Sequence, residues 1–333
     1  MNKLCFLAFF VLSVLTISST GCRNSKKSFI PQTTSIDGEI SQIGNPPIVI
    51  FTGKNDEIYK SDQITKTTTT KFNFAFKNKL SDAGIYSISF DTITQYFYLE
   101  PGDHVSIKFF DTQSIQLISK HTYENNFLKD FLNYKNELIA DSLDQVFALP
   151  EIEFIKKIEE YTQYLVNFQQ EYQKKHEPFN EIFADLIIDE IAFDAAIKKL
   201  SYPTKHKIMQ PDSVLALSDT YDTFLQNMDI DDEQMLLVPS FRDFLQLYID
   251  FYVQLNRDKA PEEVKTEKQP LIKEQFDFIG KTFNNPYIKN YLYYQFMLLS
   301  LPHGGIEYLD VYMSVQKDNY YIDVINARKE LLK

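Results

Sequence analysis

The sequence predicts an α+β chain, an N-terminal antiparallel β-sandwich-like domain followed by an α-helical domain. Two patterns carry that reading. From about Ser35 to Ser119 apolar residues alternate with polar ones, broken by Gly, Pro, Asn and Asp, as half-buried strands require. After about Thr122 the apolar spacing changes to three and four residues, the period of helices with one buried face. Composition supplies the core: 44% of the 333 residues are hydrophobic, with 28 Phe and 21 Tyr, and 24% are charged, which excludes wholesale disorder. The predicted divisions are residues 1–21, a signal; 22–34, a tether; 35–119, the β-domain; and 120–333, the helical domain.

In chain order, Ile36, Gly38 and Ile40 open the first strand, and Ile48-Val-Ile-Phe51 forms a second after Pro46-Pro47. Thr67–Thr70 reads as a strand edge. Phe72, Phe74 and Phe76 alternate with Lys71, Asn73 and Lys77; then come Ile85–Phe90, Tyr96–Leu99 and Val105–Phe109. In Leu99-Glu-Pro101-Gly102-Asp103, proline sets φ at the first corner of a turn and glycine supplies a positive φ at the second, predicting a hairpin. In the helical half, one helix carries Phe127, Phe131, Tyr134 and Leu138, and another Ile155, Ile158, Leu165, Phe168 and Tyr172. A third begins at Pro178 and is expected to stop at Pro203. Further helices are expected over Asp219–Asn227, Ser240–Asn256, Leu271–Phe283, Tyr287–Ser300 and two short stretches up to Lys333, with an exposed loop from Arg257 to Pro270.

The N-terminus reads as a secretory signal. Lys3 is followed by an apolar run from Leu4 to Ile17 and by Ser18-Ser19-Thr20-Gly21-Cys22. Ser19-Thr20-Gly21-Cys22 resembles a bacterial lipobox, in which Cys22 is acylated and becomes the first residue of the exported chain. Several acyl chains hold a protein on a membrane firmly, since each buried methylene contributes roughly 0.8 kcal/mol. Cys5 would leave with the signal and Cys22 would carry lipid, so no thiol would remain for redox chemistry or thiolate-bound metal. The following segment, Arg23-Asn-Ser-Lys26-Lys27, is basic and lacks the acidic residues that similar surface-exported lipoproteins carry after the cysteine, which favours a periplasm-facing protein of the cell envelope on either membrane.

A net charge of −12 argues against a nucleic-acid surface. Neither G-x-G-x-x-G nor G-x-x-x-x-G-K-[ST] occurs, and no cofactor is implied. His176-Glu177 begins like H-E-x-x-H, but the fifth position is Asn180. His303-Gly304-Gly305 is like an esterase oxyanion loop, yet no G-x-S-x-G elbow occurs. His104, near Glu100 and Asp103 in sequence, is a weak metal candidate; His121 and His206 are expected to be exposed. Asp229-Ile-Asp231-Asp232-Glu233 starts like a calcium loop, but Gln234 stands where glycine is needed and Ser240 where glutamate is needed. Glu151, Glu153, Glu159 and Glu160 with Lys156 and Lys157 read as a solvated helix face. Tyr291, Tyr293, Tyr294, Phe296 and Tyr320-Tyr321 are expected in the core, with a ligand groove as the alternative. No catalytic, cofactor-binding or metal-binding residue is assigned; Cys22 is the single site residue.

Three stretches together resemble the front part of Bacteroidota lipoproteins of the TlpA/ResA-like thiol-disulfide oxidoreductase family. They are Ile36-Asp-Gly-Glu-Ile40; Ala83–Ile88 through Tyr98-Leu-Glu-Pro-Gly-Asp103; and, more loosely, Phe183–Ile187, Tyr202-Pro203, Tyr221–Leu225 and Leu236–Leu245. In that family a lipobox, a small β-domain and a helical segment precede a thioredoxin domain. The Cys-x-x-Cys positions would fall past Lys333, so the resemblance carries over no catalytic residue. It implies a non-catalytic accessory or interaction module, either a stand-alone homologue of the accessory region or a product truncated or split from a thioredoxin-fold partner. The alternatives are a periplasmic ligand- or glycan-binding lipoprotein and a hydrolase with an unrecognised carboxylate pair.

Overall fold

The computed structural model describes residues 29–41, 49–54, 58–60, 63–68, 71–90, 93–110, 115–140, 143–213, 215–259 and 270–331. Cys22 and its lipobox lie outside them, as do part of Thr67–Thr70 and most of the expected loop before Pro270. The chain is α+β, with strands between residues 32 and 118 and helices between 122 and 331.

Among the described residues nine strands form two sheets: β1 (Gln32–Ser41), β2 (Val49–Thr52), β3 (Ile58–Lys60), β4 (Gln63–Thr68), β5 (Lys71–Leu80), β6 (Gly84–Phe90), β7 (Ile93–Leu99), β8 (His104–Phe109) and β9 (Ile115–Ile118). Their orders are β4-β5-β1-β8-β9 and β3-β2-β6-β7. The alternating residues meet between the sheets: Ile36, Ile40, Phe74, Val105 and Ile107 from one, Phe51, Tyr86, Ile88, Phe97 and Leu99 from the other. The pairing is antiparallel except between β1 and β8, which run parallel.

The turn at Pro101-Gly102 departs from the expected hairpin. Gly102 does hold a φ of 88°, and the Asp103 N–H donates to the Glu100 carbonyl at 3.1 Å. However, β7 and β8 belong to different sheets, so the turn is a corner that carries the chain across the sandwich. The Gly102 N–H donates to Thr34 Oγ1 at 3.0 Å, and a Cβ there would strike the Gln32 side chain.

The helical half comprises α1 (Thr122–Ala140), α2 (Leu143–Phe147), α3 (Glu151–Lys175), α4 (Glu181–Met209), α5 (Pro239–Lys259), α6 (Leu271–Thr282), α7 (Pro286–Ser300), α8 (Leu309–Val315) and α9 (Asn319–Leu331). Where a helix was expected over Asp219–Asn227 there is one 3-10 turn, Tyr221–Leu225, and α5 extends three residues past Asn256. Asn180 and Asn285 cap α4 and α7, each side-chain oxygen accepting a backbone N–H two residues on. α4 therefore starts three residues after Pro178.

Nor does α4 stop at Pro203; it continues to Met209. A proline inside a helix leaves the carbonyl four residues earlier without its N–H donor. Here that carbonyl belongs to Lys199, and the Tyr221 hydroxyl donates to it at 2.6 Å. The missing bond is thus replaced from outside the helix.

The second sheet is sandwiched in turn. Ile85 and Tyr98, on its outer face, join the core of the helical body, so β6 is buried on both faces. Leu237 reaches the other way into the sandwich core, packing on the bare Cα of Gly84. β7 is an edge strand, and Asn125 of α1 covers it: its Oδ1 accepts from the Tyr98 N–H at 2.6 Å and its Nδ2 donates to the Tyr98 carbonyl at 3.2 Å. Lys54 adds a polar link, 3.4 Å from both Asp82 and Glu233.

Candidate functional site

The histidines separate once their surroundings are known. His104 is exposed on β8, beside Asp37 (3.1 Å) and Ser35 (2.8 Å) of β1; Glu100 and Asp103 do not pair with it. They gather His121 instead, 3.5 Å and 3.4 Å away, so His121 is buried, against expectation. The reason is the corner, which folds Glu100 and Asp103 back over the start of α1. Glu100 also accepts from the Tyr98 hydroxyl (2.9 Å), Asn180 Nδ2 (2.9 Å) and Lys120 (3.3 Å). Burial pushes its carboxyl up, but the Tyr98 hydrogen bond, His121 and Lys120 together hold it below the ordinary glutamate value. His206 is buried too: its Nδ1 donates to the Phe147 carbonyl at 2.9 Å. His176 terminates α3, its ring packed at a tilt against Tyr172 with ring centres 4.9 Å apart.

The acidic loop after Met228 holds chain rather than converging. Asp231 accepts the backbone N–H groups of Asn284 (2.8 Å) and Asn285 (3.0 Å), and Asp232 caps the following turn. Glu151 accepts the Ser218 N–H at 2.8 Å. Among the described residues no group of three or more His, Cys, Asp or Glu is placed to hold a metal ion. Tyr291, Tyr293, Tyr294, Phe296 and Tyr321 are core residues; Tyr320 is 38% exposed.

Sequence reasoning missed a buried ion network between α1, α3, α4 and α5. Glu190 and Asp194 stand one turn apart on α4. Lys135 lies 2.8 Å from Glu190 and 3.4 Å from Asp194; Lys198 lies 2.5 Å from Asp194. The Tyr161 hydroxyl donates to Asp194 at 2.8 Å, and Ser240 donates to Glu190 through its N–H (2.9 Å) and hydroxyl (2.7 Å). Burial alone would raise the Asp194 carboxyl, but Lys198, Lys135 and their hydrogen bonds hold it below the ordinary aspartate value. These two carboxylates converge, yet neither lines the cleft described next, and each is neutralised from within.

That cleft, of about 930 Å³, lies between α4, α5, α6 and the end of α7. Leu200, Leu247, Phe251, Leu271, Ile272 and Leu299 line its apolar part. α5 contributes positions 247, 251 and 255 alongside 246, 250, 254 and 258, one helix face presented at fourfold spacing. On that face Asp250 is half-buried, with Oδ1 accepting from Gln275 Nε2 at 2.7 Å. Burial pushes the Asp250 carboxyl above the ordinary aspartate value, and the Gln275 hydrogen bond only partly offsets this. His303, exposed beyond α7, stands at the cleft and is followed by Gly304 with a φ of 87°. The nearby Ser300 hydroxyl donates to the Met297 carbonyl at 2.8 Å, as in an ordinary helix end.

This arrangement suits binding. A concave apolar surface of this volume accommodates a small molecule, and a few polar groups within it set orientation. No helix among the described residues is long and apolar enough to cross a membrane. Compared with protein-family models and with curated proteins, the chain matches none.

Proposed function

We propose that this chain is a lipid-anchored protein of the cell envelope, held by acyl chains on Cys22, whose work is non-catalytic: it retains a small ligand with an apolar body in the cleft between α4, α5, α6 and α7. The cleft carries this reading. It combines apolar walls with a half-buried carboxylate, Asp250, whose hydrogen bond comes from a neutral amide, whereas the carboxylates of the α4 network and of the Pro101-Gly102 corner have cations beside them.

N-phenyl-1-naphthylamine, which brightens on leaving water, tests it. Saturable fluorescence with the purified chain is expected, lost in Leu299→Trp, which places an indole at a half-exposed lining position. Equal signal from both proteins, at unchanged thermal stability, would remove the cleft from consideration. Anchoring is tested separately by metabolic acyl labelling, expected in the parent chain and absent in Cys22→Ser.

The Glu100–Asp103 corner favours a second reading, an accessory module for a thioredoxin-fold partner. It is the most specific stretch of the family-like sequence, and it ties the sandwich to α1 and α4 through Lys120 and Asn180. A Cys-x-x-Cys reading frame adjoining the gene supports that role; unrelated neighbours leave it without support.

A further inference from the structure

We propose that the cleft selects a small ligand with an aliphatic body and a terminal cationic nitrogen, and that the Asp250 carboxylate is the group that pairs with the nitrogen. This rests on the binding role assigned above to the same cleft.

The lining defines the charge. Asp250, Asp258 and Glu307 are acidic, and Lys205 is the lining lysine. Its ammonium is already placed over the Phe147 ring, 4.8 Å from the centroid. Arg257, one turn beyond Val253 on α5, is occupied by Glu274: Nε donates at 2.7 Å and Nη2 at 3.1 Å to its two oxygens. Among the described residues Gln275 is the hydrogen-bond donor to Asp250, through one oxygen, and Gln275 is itself 7% exposed. An ionised carboxylate has about four acceptor positions. Asp250 lines a cleft walled by Leu247, Phe251 and Ile272.

The partner chemistry follows from that environment. A carboxylate partly removed from water gains most from a charged donor, because a charge-assisted hydrogen bond is both shorter and stronger than a neutral one. A second carboxylate brought into the same apolar space would repel it. The volume suits one small molecule, and an aliphatic tail would replace water along the leucine-lined walls. A primary amine on an alkyl chain meets both requirements.

Titration calorimetry of the full chain in phosphatidylcholine nanodiscs tests the assignment with octylamine, 1-octanol and octanoate at pH 7, each corrected with empty nanodiscs. Octylamine should bind at least about tenfold more tightly than 1-octanol, as a charged hydrogen bond predicts, and octanoate more weakly than either. Asp250→Asn keeps the shape and the Gln275 contact; it should bring octylamine to within about twofold of 1-octanol and leave 1-octanol unchanged. Equal affinities for amine and alcohol in the parent chain, or an amine preference that survives Asp250→Asn, would overturn the cation assignment while leaving the cleft as a binding site. Absence of binding by all three would overturn the cleft reading itself.

Discussion

Asp194 of α4, buried, and Asp250 of α5, half-buried, are both carboxylates that folding takes at least partly out of water, on helices that pack against each other. Around Asp194 the chain supplies two lysines and a tyrosine hydroxyl, and the acid is held ionised. Around Asp250 it supplies one amide, and the carboxyl is pushed the other way. The same residue type on adjacent helices thus serves two ends. Where its partners are internal, the charge is part of the architecture. Where its one partner is a neutral amide and the residue lines a cleft, the charge is the one that the proposed ligand would meet.

The most severe way to break this contrast is Asp194→Ala. It would strand Lys135 and Lys198 with less compensation, and removing one partner of a buried ion pair costs about 3–5 kcal/mol. Urea unfolding should show a correspondingly lower midpoint; a change under about 1 kcal/mol would mean the network is not structural. Next comes Tyr221→Phe, which removes the donor to the Lys199 carbonyl beneath Pro203, a residue of the cleft wall. A loss of about 1–2 kcal/mol is expected for an unpaired buried acceptor, measured the same way. An unchanged midpoint would show that water serves that carbonyl equally well.

Acid sharpens the comparison without mutation. Asp194 and Glu100 have folded-state affinities for protons below those of the unfolded chain, so their stabilisation is complete above the unfolded values and declines as pH falls through the folded ones. Stability should therefore begin to fall below about pH 5, and Asp194→Ala should flatten that slope. Asp250 has the opposite sign. Its folded carboxyl holds a proton more tightly than the unfolded one, so ionisation at neutral pH works against the fold. Asp250→Asn should raise the thermal midpoint slightly at pH 7 and have no such effect at pH 3. A lowered midpoint at pH 7 would mean that the carboxylate has an internal role.

Much of the fold was readable because its signals are local. Alternation at Phe72, Phe74 and Phe76 or at Val105, Ile107 and Phe109 is enough to place strands. What was not readable depends on distant partners. Pro203 looks like a helix stop until a tyrosine eighteen positions on supplies the missing donor. The Pro101-Gly102 turn looks like a hairpin because local chemistry sets its angles, while the sheet each flanking strand joins is decided by β1 and β6. His121 and His206 sit in polar sequence but are buried by residues from β7 and α2. The ion network had one visible sign: of the four acids and two lysines between Phe183 and Leu200, Glu190, Asp194 and Lys198 recur at fourfold spacing, one above another on a single face of a mostly apolar helix. The cleft had none: Leu247, Phe251 and Leu255 read as an ordinary second apolar face of α5 until α6 and α7 leave it open.

The place of β1 has a mechanical consequence. It is the central strand of its sheet, paired with β5 at ten positions on one side and with β8 at six on the other, and the corner grips its first residues. A membrane tether at the N-terminus would deliver any tension to Gln32. Directed along the strand, that tension loads two ladders in shear, so that many hydrogen bonds resist at once instead of opening singly like a zipper. The proposed anchor thus enters the molecule at a point suited to bearing a pull.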